Sequence, residues 1–86
     1  MKIKVTLPPM LQQLTGSGET VEVEGTTIRE CLDDFKKQFP DSQGWLDENG
    51  PVAWVTLNQK IVGMNELDQK VSEGDYLRFI LLLSGG

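Results

Sequence analysis

Thr27-Ile28-Arg29-Glu30-Cys31-Leu32-Asp33-Asp34-Phe35-Lys36-Lys37-Gln38-Phe39-Pro40 is the one long stretch whose apolar residues recur at three- and four-residue spacing. Ile28, Cys31, Leu32, Phe35 and Phe39 fall on one stripe, with Glu30, Asp33, Asp34, Lys36 and Lys37 on the other side, the pattern of a helix lying on a core. Thr27 and Glu30 have capping-box spacing: the Thr27 hydroxyl accepts from the Glu30 backbone while the Glu30 carboxylate reaches back. Pro40 stops the helix, and Lys36 and Lys37 sit near the negative end of its dipole.

On either side of this helix the period changes to two. Ile3, Val5 and Leu7 alternate with Lys2, Lys4 and Thr6, and Val21 and Val23 alternate within Thr20 to Glu24, so the two segments predict a hairpin. Pro8-Pro9 ends the first strand. Met10, Leu11 and Leu14 are expected to tuck a wide loop onto the core before Gly16-Ser17-Gly18 turns the chain. Beyond the helix, 41–51 is polar and glycine-containing around Trp45 and Leu46, a loop pinned by those two side chains. Val52 to Asn58 is β-rich, with Ala53, Val55 and Leu57 on one face and Val52, Trp54 and Thr56 on the other. Asn58-Gln59 turns it into a short partner, Lys60 to Val62. Leu67 and Val71 suggest a helical turn or loop contact, and Glu73-Gly74-Asp75 turns tightly into a last strand from Tyr76 to about Leu83. One helix between a hairpin and three further strands predicts an α+β fold of the β-grasp kind, a mixed sheet of four to five strands with one main helix across it. A right-handed crossover is expected to lay Val52 to Asn58 parallel, or nearly so, to a strand of the hairpin.

The 86 residues leave room for one domain, 1–86, with a flexible tail at 84–86. No apolar run approaches the ~20 residues that span a bilayer, and the alternation beginning at Lys2 is unlike a signal peptide, so a soluble, cytoplasmic protein with no membrane partner is expected. The net charge of −5 disfavours nucleic acid and suits a partner with a basic docking face. With no histidine and one cysteine, the usual zinc sets, an internal disulfide and the common nucleophile–base pairs are all excluded, and no bound metal or cofactor is expected. That inventory points to a carrier or binding module that is not itself an enzyme.

The end of the sequence offers the chemistry the interior lacks. Leu81-Leu82-Leu83-Ser84-Gly85-Gly86 follows directly on a core strand. At a glycine usage of about 7%, two terminal glycines arise by chance in roughly 0.5% of chains, so the pair calls for an explanation. Glycine has no Cβ, so such an end fits a channel too narrow for side chains and leaves the Gly86 carboxylate open to attack. Once converted to an acyl-adenylate, that carboxylate can be attacked by a sulfur nucleophile, with AMP leaving and a thiocarboxylate remaining.

The order and spacing of the opening strand, the Thr27 helix start, Val55-Thr56-Leu57-Asn58, Glu73-Gly74-Asp75 and Ser84-Gly85-Gly86 resemble the ubiquitin-like sulfur carriers. These include the molybdopterin-synthase small subunit, the thiamine-pathway carrier and the carrier for cysteine synthesis. The resemblance covers nearly the whole chain. It implies that a ubiquitin-activating-enzyme-like adenylyltransferase uses ATP to adenylate Gly86, that a persulfide or sulfide donor thiolates it, and that a sulfur-accepting enzyme receives the sulfur. Ser84 and Gly85 would line the partner's channel, and the free carrier would be a monomer. Leu7-Pro8-Pro9-Met10-Leu11 with Thr15-Gly16 is more similar to the cysteine-pathway carrier. Many members have a proline shortly before the terminal glycines, where this chain has Leu81 to Leu83.

Two other readings share this pattern: a protein modifier conjugated through Gly86, and a passive β-grasp interaction subunit indifferent to its terminus. Cys31 lies in the helix stripe and is expected to be a small core residue, not a sulfur relay. Glu30, Asp33 and Asp34 are expected to be solvated. If Ala53, Val55 and Leu57 face the helix, then Trp54, Arg78, Ile80 and Leu82 share the open face of the sheet, with the composition of a docking surface. The competing expectation is that loop 41–51 folds over that face and sets Trp45 beside Trp54.

Overall fold

The computed structural model describes residues 1–46, 52–63 and 65–81, and for 52–54 the backbone alone. Strand β1 (Lys2–Thr6) leads through helix α1 (Pro9–Thr15) to β2 (Thr20–Glu24) and the main helix α2 (Ile28–Gln38). A 3-10 turn (Pro40–Ser42) and the short α3 (Gln43–Leu46) precede β3 (Val52–Leu57), β4 (Lys60–Gly63) and β5 (Tyr76–Leu81). The strands form one mixed sheet in the order β2-β1-β5-β3-β4, a β-grasp arrangement.

The central position of β5 explains its sequence. It pairs parallel with β1 on one side and antiparallel with β3 on the other, so its backbone is satisfied along both edges. Leu77 and Phe79 are buried beneath α2, and Phe79 meets Phe35 edge-on at 5.2 Å between ring centroids. Burying each of these two side chains contributes about 2–3 kcal/mol. The direction expected of the crossover is observed. The run from Val52 does share the direction of β2, since β1 is antiparallel to β2 and β5 is antiparallel to β3. It is not, however, hydrogen-bonded to the hairpin, because the last strand fills the slot between β1 and β3.

Helix α2 begins as its sequence dictates, with a refinement at the cap. The Thr27 hydroxyl accepts from the Glu30 N–H at 3.2 Å, but the Glu30 carboxylate takes the Thr26 N–H and hydroxyl, each at 2.8 Å. The remaining first-turn donors go to the segment before β5: Arg29 N–H to the Leu67 carbonyl and Ile28 N–H to that of Gln69. Leu67 and Val71 are buried there without forming a helix, because the carbonyls around them cap α2.

Two stretches expected to be loops contain short helices. Pro9 occupies the first turn of α1, where its missing N–H costs nothing, and Gly16 closes it at φ 69°. Leu11 is buried and Leu14 packs on the core, but Met10 is 50% exposed, against the expectation that it tucks in. In the second stretch, Leu46 is buried and Trp45 packs against the core cluster that α2 covers. Whether Trp45 meets the Trp54 side chain lies outside the described residues.

Candidate functional site

The proposed reacting group, Gly86, lies outside the described residues, as do Ser84, Gly85 and Leu82. What the structure defines is the platform that presents them. Leu81, the last described residue, pairs with Val52 and packs on the core. The tail therefore follows from the middle strand of the sheet, anchored by Leu77 and Phe79 within the same strand.

The start of β5 is fixed by a compact network. Asn58 and Gln59 adopt φ values of 51° and 75°, the left-handed pair that a two-residue hairpin turn requires. From that turn Asn58 donates its backbone N–H to the Tyr76 carbonyl, and its side-chain oxygen accepts the Tyr76 N–H at 3.0 Å. Its side-chain amide donates to Asp75, whose other carboxylate oxygen accepts the Ser72 N–H at 2.8 Å. These bonds, first that from Asn58 and then that from Ser72, hold the Asp75 carboxyl below its usual range.

The sheet face away from α2 divides along its width. On β1 and β2 it is polar, with Lys2 opposite Glu24, Lys4 opposite Glu22 and Thr6 opposite Thr20. From β1 across β5 and β3 to β4 the register aligns Thr6, Arg78, Thr56 and Ile61 in one row, and on the last three strands Ile80, Trp54 and Gly63 in the next. Arg78 is exposed and Ile80 half-buried, so these two expected docking residues share a surface with the Trp54 backbone position. Ile61, 64% exposed, completes it and was missed by the sequence reading. Its side of the sheet follows from its place opposite Thr56 and beside the buried Val62, which the register alone reveals.

The other candidates are structural. Cys31 is fully buried and its thiol is pushed up to about 11, chiefly by burial and then by the Asp34 and Glu30 carboxylates. Glu30 serves the helix cap and Asp34 accepts the Glu24 N–H at 2.9 Å. Among the described residues no cluster of histidine, cysteine or carboxylate side chains could hold a metal ion, and no helix is long and apolar enough to cross a membrane.

A five-stranded mixed sheet in the order β2-β1-β5-β3-β4 with one main helix across it defines the ubiquitin-like β-grasp class. The comparisons with known proteins are specific on this point: residues 5–86 match the ThiS family model, and the chain belongs to the ThiS family. No curated protein matches it significantly. Among solved structures it is similar to a chain of the Amycolatopsis orientalis BexX/CysO complex, with 26% identity over 98% of this chain and 99% of that one and a TM-score of 0.82. SAMP1 from Haloferax volcanii aligns over the full length of both chains at 22% identity and a TM-score of 0.80. A chain from the complex of subunits 1 and 2 of the molybdopterin-converting factor of Helicobacter pylori also aligns over both full lengths, at 18% identity and a TM-score of 0.66.

Proposed function

We propose that this chain carries sulfur as a thiocarboxylate on Gly86. An adenylyltransferase of the ubiquitin-activating type joins the carboxylate to AMP from ATP, releasing pyrophosphate. A persulfide or sulfide sulfur then attacks the acyl carbon and AMP leaves. With a persulfide, a second thiol cleaves the S–S bond and frees the thiocarboxylate. A sulfur-accepting enzyme takes the sulfur and returns the carboxylate. The observation that carries this reading is that the family match runs through the last residue, Gly86, five positions beyond the end of the sheet's central strand.

Residues 82–86 drawn out in a partner's channel span about 17 Å, so the surface beside β5 must dock within that distance of the partner's catalytic centre. The face bearing Trp54, Ile61, Arg78 and Ile80 is the surface we assign to that docking. The two similar complexes, BexX/CysO and the converting-factor subunits, motivate a partner for this chain as well.

Intact-mass analysis after incubation with the adenylyltransferase, ATP and sulfide tests the proposal. The expected product has one terminal oxygen replaced by sulfur, and a chain lacking Gly86 gives none. A lysine conjugate without thiocarboxylate identifies a protein modifier instead, and unchanged function without Gly86 identifies a passive subunit.

A further inference from the structure

Among the described cations of the open sheet face, Arg78 alone has no carboxylate opposite it on a neighbouring strand. Lys2 and Lys4 each stand opposite a glutamate, whereas Arg78 stands between Thr6 on β1 and Thr56 on β3. The nearby acid, Asp75, is already bonded to the Asn58 amide and the Ser72 N–H. The Arg78 side chain has no hydrogen bond or ion pair among the described residues. With no partner among the described residues, an exposed arginine at the centre of a candidate docking face can receive an acidic group of another protein.

The surroundings of Arg78 indicate which partner group. It lines a shallow recess of about 340 Å³ with Thr56, Gln59, Tyr76 and Ile80. Tyr76 and Ile80 supply apolar walls that exclude water once a partner closes over them, while Thr56 and Gln59 offer further polar groups. A guanidinium presents paired N–H donors in a planar fork that matches a carboxylate, and the bond strengthens as water leaves. The chain's overall negative field repels polyanions, so the group that reaches this recess must be carried on a surface otherwise neutral or basic.

We propose that the Arg78 recess seats a single carboxylate, an Asp or Glu side chain of the adenylyltransferase, ringed there by apolar residues. The proposal rests on the docking face assigned above and adds the chemistry of its central contact. A lone carboxylate fixes the orientation of the carrier: a rotated or shifted pose leaves Arg78 buried without a partner.

The test measures binding of the full chain to the adenylyltransferase for wild type, Arg78→Gln, Arg78→Lys and Ile80→Asp, each checked by thermal melting. Each surface Asp and Glu of the enzyme is also changed to Ala. Loss of one charge-assisted contact predicts roughly tenfold to hundredfold weaker binding by Arg78→Gln, with partial recovery in Arg78→Lys. One enzyme carboxylate is expected to matter to the wild-type carrier yet change binding by less than about twofold with Arg78→Gln, the signature of a direct pair. If Ile80→Asp weakens binding while Arg78→Gln does not, or if no enzyme carboxylate couples to Arg78, the carboxylate seat is wrong and the docking face stands. If neither carrier variant changes binding, the docking face itself is wrong.

Discussion

Residues that look reactive on paper are held by the fold in structural roles, and titration separates the two. Burial keeps Cys31 neutral up to about 11, so iodoacetamide at pH 8 should modify native protein far more slowly than unfolded protein, at a rate set by opening of the core. Labelling as fast as in denaturant would contradict the placement of Cys31. Glu30 is shifted the other way: bonds from the Thr26 N–H and then its hydroxyl hold its carboxyl below the usual range. A carboxyl with a folded pKa below its unfolded value, about 4.3 for Glu, adds stability above that value and loses it as the pH falls through the folded one. Glu30→Gln should therefore lower the Tm at pH 7, and the difference from wild type should vanish in strong acid. A constant difference across that range would show that the charge plays no part in the cap.

At the scale of elements, helix α2 reaches over one edge of the sheet. On β2, the outward Glu24 N–H donates to Asp34 at 2.9 Å and the Glu22 carbonyl accepts from Gln38 at 2.9 Å, while Gln38 also bonds Asp34. Helix α2 thus covers the edge with two side chains one turn apart, which blocks strand-to-strand association there. Changing Asp34 and Gln38 together to Ala should speed hydrogen exchange of the Glu24 amide by roughly tenfold or more and promote self-association in sedimentation. Unaltered exchange would remove the sealing role. Asp34 reads in the sequence only as a solvated helix position, because its role depends on a strand that only the tertiary fold brings near. The main helix and the strand alternation were legible, since burial imposes periods of 3.6 and 2 on the residues themselves. Helix α1 was not, since seven residues between Pro8 and Gly16 carry too few apolar positions to show a period. The place of β5 between β1 and β3 was also hidden, although a nearly continuous apolar run from Phe79 to Leu83 suits a central strand.

For the whole molecule, the proposed chemistry and the source of stability occupy separate parts of the chain. Every buried apolar side chain among the described residues falls between Ile3 and Phe79, while the candidate reacting group is Gly86. The role proposed for the terminal pair is read from the sequence alone, where its lack of side chains stands directly. The exposed Ile61 in line with Arg78 needed the register of three strands. Separation of the two parts predicts opposite responses to two changes. Phe35, fully buried and in ring contact with Phe39 and Phe79, should cost about 3–5 kcal/mol when replaced by Ala, with activity falling only as the folded fraction falls. On the proposed reading the terminus stands clear of the core, so deleting Gly86 should leave the Tm within about a degree, because surface changes away from packed features stay within ~0.5 kcal/mol, yet it should abolish thiocarboxylate formation. Melting curves and intact-mass assays on the two variants read both quantities at once. A Gly86 deletion that lowered the Tm as Phe35→Ala does would show that the terminus is packed into the domain, and a packed terminus could not enter a partner's channel without unfolding part of its own sheet.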